Sequence, residues 1–209
     1  STITIDQAAT SNYGPATTLM KIDVTPLQPN LSSPNYTVRY GDPAFSIINS
    51  VTTSSSGTLI FQRGSWRNFE IDANSGVVTS TSAGTGFITI VQPSDGCYGS
   101  DVVFPSLTVL KGSCTLTSVN VTKTYGDLNF VLDNVTTSSS GSYTFTSNPP
   151  AIVSINNTTS NTTINRAGTA IVSVTQFADG NYESCTTSFS ITVLKADPTI
   201  TTSNTVVDY

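Results

Sequence analysis

The sequence predicts an all-β chain of tandem β-sandwich domains, about seven strands each, with partial repeat strands at both termini. Three observations predict it. Thr, Val, Ile, Tyr and Phe dominate short segments that alternate apolar and polar residues. Turns rich in Gly, Pro, Asn and Ser separate those segments. The pattern also recurs: Val51-Thr-Thr-Ser-Ser-Ser-Gly57 returns as Val135-Thr-Thr-Ser-Ser-Ser-Gly141, and Leu107-Thr-Val-Leu-Lys111 as Ile191-Thr-Val-Leu-Lys195, both 84 positions on.

The ends carry further pieces of the same repeat. Thr2–Gln7 matches Ile171–Gln176, Asn12-Tyr13 matches Asn181-Tyr182, and Tyr209 falls 84 positions after Tyr125. The predicted organisation is therefore 1–22 as the terminal strands of a preceding partial repeat, 23–111 and 112–195 as two full domains, and 196–209 as the first strand of a following partial repeat. Linkers of two or three residues predict a stiff rod.

The second copy gives the strand plan most cleanly. Thr115–Thr124 alternates loosely and is read as the first strand. Phe130–Val135 is the second, ended by the polar turn Thr136–Gly141. Tyr143–Thr146 is the third, with Tyr143 and Phe145 on one face, and Pro149-Pro150 ends it because proline cannot donate to a ladder. Ala151–Ile155 is the fourth and Thr158–Asn165 the fifth. Thr169–Gln176, with Ala170, Val172 and Val174 facing inward, is the sixth. Ala178-Asp-Gly180 is a turn signal, and Phe189, Ile191 and Val193 line a seventh. In the first copy the matching core positions are Phe45, Phe61, Ile71, Ile88, Ile90, Leu107 and Val109.

Composition excludes several function classes. Only 10% of residues are charged, and Ser and Thr make up nearly a third. The net charge of -5 includes no basic stripe, which argues against nucleic acid as a partner. No apolar run is long enough to span a membrane. Histidine is absent, which removes Ser-His-Asp and Cys-His catalysis and the commonest transition-metal ligand. The two glutamates, Glu70 and Glu183, sit at non-equivalent places in different copies and do not pair as glycosidase carboxylates. The chain is read as a non-enzyme with no cofactor and no metal, and its composition as extracellular.

Tyr125-Gly-Asp-Leu-Asn-Phe130, Ser147-Asn-Pro-Pro-Ala-Ile-Val153, Ala167-Gly-Thr-Ala-Ile-Val-Ser-Val174 and Asp179-Gly-Asn-Tyr182 occur in that order. Together they resemble the bacterial immunoglobulin-like repeats, of the type opening with Tyr-Gly-Asp, found in tandem in large cell-surface and adhesin-like proteins. The resemblance covers both copies and the end fragments. It implies Ig-like β-sandwich domains and a non-enzymatic extracellular role in building or displaying. The first copy departs from it at Gln62-Arg-Gly-Ser-Trp66.

Several residues are candidates for chemistry. Asp42, Asp127, Asp95 and Asp179 recur beside glycines. Oxygen ligation of calcium is one reading, but so few carboxylates per junction favour turn chemistry, in which Asp binds its own backbone. Cys114 opens the second copy and Cys185 begins its last strand, so the two can meet at one end of a sandwich and bridge. Closing that loop is worth about 4 kcal/mol in the chain-entropy account. Cys97 has no partner in its own copy and is read as a free thiol or an intermolecular bond. Glycosylation acceptors occur at Asn30, Asn35, Asn120, Asn134, Asn156, Asn157 and Asn161. The Ser/Thr runs 52–56 and 136–140 are candidates for O-linked sugar. Arg63, Trp66, Arg67, Phe69 and Tyr98 form an aromatic and basic group that the second copy lacks, a candidate ligand site.

Two functions follow as expectations. The first is a building block of a surface fibre, joined head-to-tail to further copies by strand addition between subunits. In a plainer form, its neighbours are adjacent repeats of a longer chain. The second is an adhesin-type module binding a glycan or a protein.

Overall fold

A computed structural model describes residues 1–203 and Val207. β1 (Thr2–Gln7) and β2 (Ala16–Lys21) form a hairpin. The first full repeat holds β3 (Tyr36–Arg39), β4 (Phe45–Ser46), β5 (Ile60–Arg63), β6 (Phe69–Ile71), β7 (Val77–Ser80), β8 (Gly84–Gln92), β9 (Asp101–Val103) and β10 (Ser106–Leu110). The second holds β11 (Leu116–Ser118), β12 (Val121–Thr124), β13 (Phe130–Val131), β14 (Val135–Thr137), β15 (Tyr143–Asn148), β16 (Val153–Ile155), β17 (Asn161–Ile164), β18 (Gly168–Gln176) and β19 (Cys185–Leu194). The chain is all-β, as tandem Ig-like sandwiches. Its compact units are Ser1–Tyr36, Ala44–Thr79 and Gly86–Leu107 on one hand, and Thr37–Pro43, Ser80–Thr85 and Thr108–Tyr209 on the other.

In the second repeat one layer runs β12-β19-β18-β15 and the facing layer β13-β17-β16, with β11 paired to β14. Strict alternation along β18 sends Ala170, Val172, Val174 and Gln176 into the sandwich, while β19 contributes Phe189, Ile191 and Val193. Leu132, Phe145, Ile152 and Val153 close the core from the other elements. Each Val, Leu, Ile or Phe among them contributes about 1.5–3 kcal/mol by burial. Tyr143, placed on the same face as Phe145 by the sequence, is 41% exposed, because it lies at the sheet's end beside Gln176.

The first and second strands each break in two. β11 pairs antiparallel with β14, then the chain steps across and β12 runs parallel to β19 from Val121↔Ile191 to Thr124↔Leu194. Asn120 holds the step by accepting a hydrogen bond from the Ser190 N–H (2.9 Å), and Asn134 donates to the Val119 carbonyl (2.6 Å). A strand that serves both layers of a sandwich must bend between them. The periodicity of 115–124 shows no such break.

The first repeat follows the same plan, with layers β3-β10-β8-β5 and β4-β7-β6. Leu31, Ile47, Phe61, Phe69, Val78, Ile88, Ile90, Leu107 and Val109 are buried. Phe45 and Ile71, expected in the core, are only half-buried, on short strands of the smaller layer. Its last strand is interrupted at Phe104-Pro105, where the second repeat runs unbroken through β19; the proline has no N–H for the ladder. Gly76 turns at φ +62, a backbone that excludes most side chains, and a Cβ there would stand 3.1 Å from the Phe61 ring.

The hairpin β1–β2 repeats the register of β18–β19. Thr2↔Lys21 stands where Ile171↔Ser190 does, and Gln7↔Ala16 where Gln176↔Cys185 does. At the other end, residues 196–203 form no strand, since no segment among the described residues pairs with them. The remainder of the strand expected over 196–209 lies, apart from Val207, outside the described residues.

The Thr-Thr-Ser-Ser-Ser-Gly repeat has a structural explanation. Gln92 and Gln176, both 0% exposed, end β8 and β18. The Gln176 amide donates to the carbonyls of Ser139 (3.1 Å) and Gly141 (2.8 Å) and accepts from the Thr137 hydroxyl. Gln92 makes the same set with Ser55, Gly57 and Thr53. A buried amide has to be satisfied, and this loop satisfies it. Replacing Gln176 by Leu strands one buried and one part-buried carbonyl and a part-buried hydroxyl, so urea unfolding should report a loss of about 2 kcal/mol or more; an unchanged midpoint would show that the loop is held otherwise.

Candidate functional site

Arg63 sits at the end of β5, where its guanidinium pairs with Glu70 and donates to the Phe69 carbonyl at 3.3 Å. Trp66 is 60% exposed in the β5–β6 turn, its Cβ over Gly86, with Arg67 beside it in the chain and half-exposed Phe87 at the same end of β8. The structure gathers Arg63, Trp66 and Arg67 there, but not the whole group. Phe69 is fully buried, since β6 turns it into the core, and it offers nothing to a ligand. Tyr98 lies past Gln92, at the other end of β8 from Phe87, some 16 Å along the strand at about 3.3 Å per residue. The candidate site therefore reduces to the Trp66 turn.

Cys114 and Cys185 form a disulfide with Cα atoms 5.8 Å apart, and Cys97 is a free, exposed thiol. Among the glycosylation acceptors, Asn30, Asn35, Asn120, Asn156, Asn157 and Asn161 are exposed and Asn134 is half-buried. Several side chains are already engaged. The Asn35 Oδ1 accepts from Ser106 N–H (2.8 Å), and the Asn156 Oδ1 caps Thr158 and Thr159. Ser55 and Ser139 are buried members of the glutamine clamp, so O-linked sugar on those two positions of the 52–56 and 136–140 runs is excluded by packing.

The four recurring aspartates are bound by backbone donors. Asp42 accepts from Arg39 N–H and Asp127 from Thr124 N–H, both at 2.8 Å. Asp179 accepts from the N–H groups of Tyr182 and Asn181, both at 2.7 Å, and from the Ser139 hydroxyl at 2.8 Å. The Tyr182 and Asn181 amides hold its carboxyl well below the usual carboxylate range, outweighing desolvation. Asp95 is lowered in the same way, first by Tyr98 N–H and then by the Ser55 hydroxyl. Among the described residues no group of three His, Cys, Asp or Glu converges as a metal site. None of the helices among them is long and apolar enough to cross a membrane.

The hairpin face that corresponds to the sandwich interior of the second repeat is the other notable surface. Val172, Val174, Phe189 and Ile191 are buried in the second repeat; their counterparts Ile3, Ile5, Met20 and Ile22 are 42%, 50%, 45% and 38% exposed. Gln7 takes the place of the clamped Gln176, yet is exposed. The turn between the strands keeps the repeat's geometry, with Thr10 in place of Asp179: Thr10 N–H donates to the Tyr13 carbonyl (2.8 Å), and Tyr13 N–H to the Thr10 hydroxyl (3.2 Å). Sequence reasoning had the alignment of 1–22 but missed the buried glutamine that gives Gln7 its meaning. The signal was present, as Gln92 and Gln176 recur 84 apart.

No protein family profile and no curated protein matches the sequence. Among solved structures, human protocadherin-24 EC1-2 is similar at 11% identity over 83% of this chain and 100% of that one, TM-score 0.34. Drosophila N-cadherin EC1-3 is similar at 13% identity over 78% of this chain, TM-score 0.32, and the chain spans 65% of its length. An endo-fucoidan hydrolase of glycoside hydrolase family 107 is similar at 17% identity over 94% of this chain but 34% of its own, TM-score 0.30. Likeness at this level transfers no function.

The lowered aspartates set a pH dependence. A carboxyl whose folded pKa lies below its unfolded value near 3.8 adds stability that is complete above that value and lost as pH falls towards the folded pKa. The urea midpoint should stay level from about pH 7 to 5 and fall below about pH 4. Asp179→Asn should be less stable at neutral pH and lose less on acidification. A variant that tracks the native acid profile would remove Asp179 as its source.

Proposed function

We propose that this chain is a non-enzymatic extracellular structural protein: a tandem Ig-like building block of a surface fibre, of the bacterial immunoglobulin-like kind opening with Tyr-Gly-Asp, joined head-to-tail by strand addition between subunits. The observation that carries this reading is the hairpin β1–β2. It has the register of a domain's last two strands and leaves the apolar face of those strands, Ile3, Ile5, Met20 and Ile22, in water. Exposed apolar sheet with unpaired edges is a template for another chain.

The strand to be added is 196–209 of a neighbouring copy. It corresponds to the segment that supplies β12, and β12 lies parallel to the Ile191–Leu194 end of β19, whose counterpart is the segment 22–25 directly after β2. Such contacts are heterologous and extend without closing. The added strand makes a three-stranded layer, so the joint also calls for a covering layer over the hairpin face. Deleting residues 1–22 should abolish polymerisation, seen by electron microscopy, while both full repeats unfold in urea as before. Filaments surviving the deletion would sink strand addition.

A second reading rests on the Trp66 turn. An exposed Trp flanked by Arg67 suits stacking on a sugar or packing on a protein partner. A glycan array comparing the native chain with Trp66→Ala should show signal for the former only; silence from both removes the adhesin-type reading for glycans.

A further inference from the structure

Within the second compact unit, the Asn181-Tyr182 turn is seated on a surface made by three segments of the first sequence repeat. The Tyr182 ring meets the Tyr40 ring edge-on, centroids 5.3 Å apart at 86°. The Asn181 Oδ1 accepts from the Ala83 N–H at 3.0 Å, and its carbonyl from the Gly112 N–H at 2.8 Å. Lys111 and Leu110 complete the surface. The receiving residues are thus the Tyr of Tyr-Gly-Asp, the Ala-Gly that opens the sixth strand, and the Leu-Lys that closes the last.

The second repeat carries the same receiving set, open. Tyr125, Ala167 and Lys195 take the places of Tyr40, Ala83 and Lys111, and with Arg166 and Ala196 they line a cavity of about 370 Å³. Tyr125 is 51% exposed, whereas Tyr40, under the Tyr182 ring, is half-buried. The matching insert is also present and unused: the Thr10–Tyr13 turn has the hydrogen bonds of Asp179–Tyr182, and Tyr13 is 73% exposed. We propose that the surface formed by Tyr125, Ala167 and Lys195 binds the Asn12-Tyr13 turn of a second copy of this chain. Tyr13 lies edge-on against Tyr125, and Asn12 accepts from the Ala167 N–H. The inference rests on the head-to-tail reading and names the residues of the joint.

One feature differs between the two receiving sets. Ala196 replaces Gly112, where a Cβ would stand 2.4 Å from the Tyr40 carbonyl. The chain at Ala196 has to run differently, so the docked turn is held by ring and side-chain amide rather than by the same backbone bridge. Insert and receptor are different surfaces of one chain, and one contact therefore leaves one free half on each member of the pair.

Sedimentation velocity of the full chain over a concentration series tests this. The native chain should associate progressively, and Tyr13→Ala and Tyr125→Ala should each raise the dissociation constant about tenfold or more, as loss of a central aromatic does. Both side chains are exposed, so native urea midpoints should confirm that the variants fold. A mixture of Tyr125→Ala with the Asn12→Ala/Tyr13→Ala chain should stop at pairs, because each retains one intact half. Val207→Pro separates this contact from strand addition by removing a ladder donor from the added strand. Association lost in Tyr125→Ala but kept in Val207→Pro supports turn docking and sinks strand addition; loss in both makes docking one part of the joint. Association kept in Tyr125→Ala, or a native chain that stays a single species throughout, overturns the proposal.

Discussion

A buried side-chain amide governs the architecture of each repeat. At the end of the sixth strand, Gln92 or Gln176 occupies a buried position that alternation would give to Val or Ile. Its donors and acceptor then dictate the polar loop across from it. The loop must present two carbonyls and a hydroxyl at a fixed spacing, and Thr-Thr-Ser-Ser-Ser-Gly does so. The second Thr meets the amide oxygen, the middle Ser passes its hydroxyl on to Asp95 or Asp179, and that aspartate fixes the turn before the last strand. Low local dielectric strengthens each link and makes each missing one costly. The loop's sequence is therefore retained between copies whose surfaces otherwise differ.

Much of this fold was legible, for a physical reason. Alternation and turn residues act locally, so the long strands β18 and β19 and their inward faces could be read from Ala170, Val172, Val174, Phe189, Ile191 and Val193. Positions whose state depends on distant partners were less legible. The break between β11 and β12 follows from which layer each half pairs with. Phe69 belongs by composition to the aromatic and basic group that the second copy lacks, whereas β6 carries it inward. Tyr98 belongs with Trp66 by composition alone, and the length of β8 separates the two.

The candidate surfaces obeyed the same division. Turn chemistry at Asp95 and Asp179 could be read from Asp-Gly alone, but the Ser hydroxyl that completes it could not. The Ser/Thr runs had the composition of a sugar-bearing stretch, and only the buried glutamine shows that they face inward in part. For the N-terminal hairpin, the correspondence of Gln7 to Gln176 follows from the alignment of repeats, while the exposure of its apolar face is a matter of three dimensions.

The disulfide of the second repeat has a mechanical consequence. Cys114 lies just ahead of β11, and Cys185 opens β19, the last strand, with a sequence separation of 71. Tension applied through the backbone at 112 and 195 enters at Cys114, crosses the sulfur bridge, and leaves along β19. The intervening loop, with its glutamine clamp and most of the core, never bears load and cannot be drawn out as slack. The first repeat has no such bridge, and Cys97 stays unbonded. One repeat is thus a covalently shortened, nearly inextensible link, while the other keeps its full contour length in reserve.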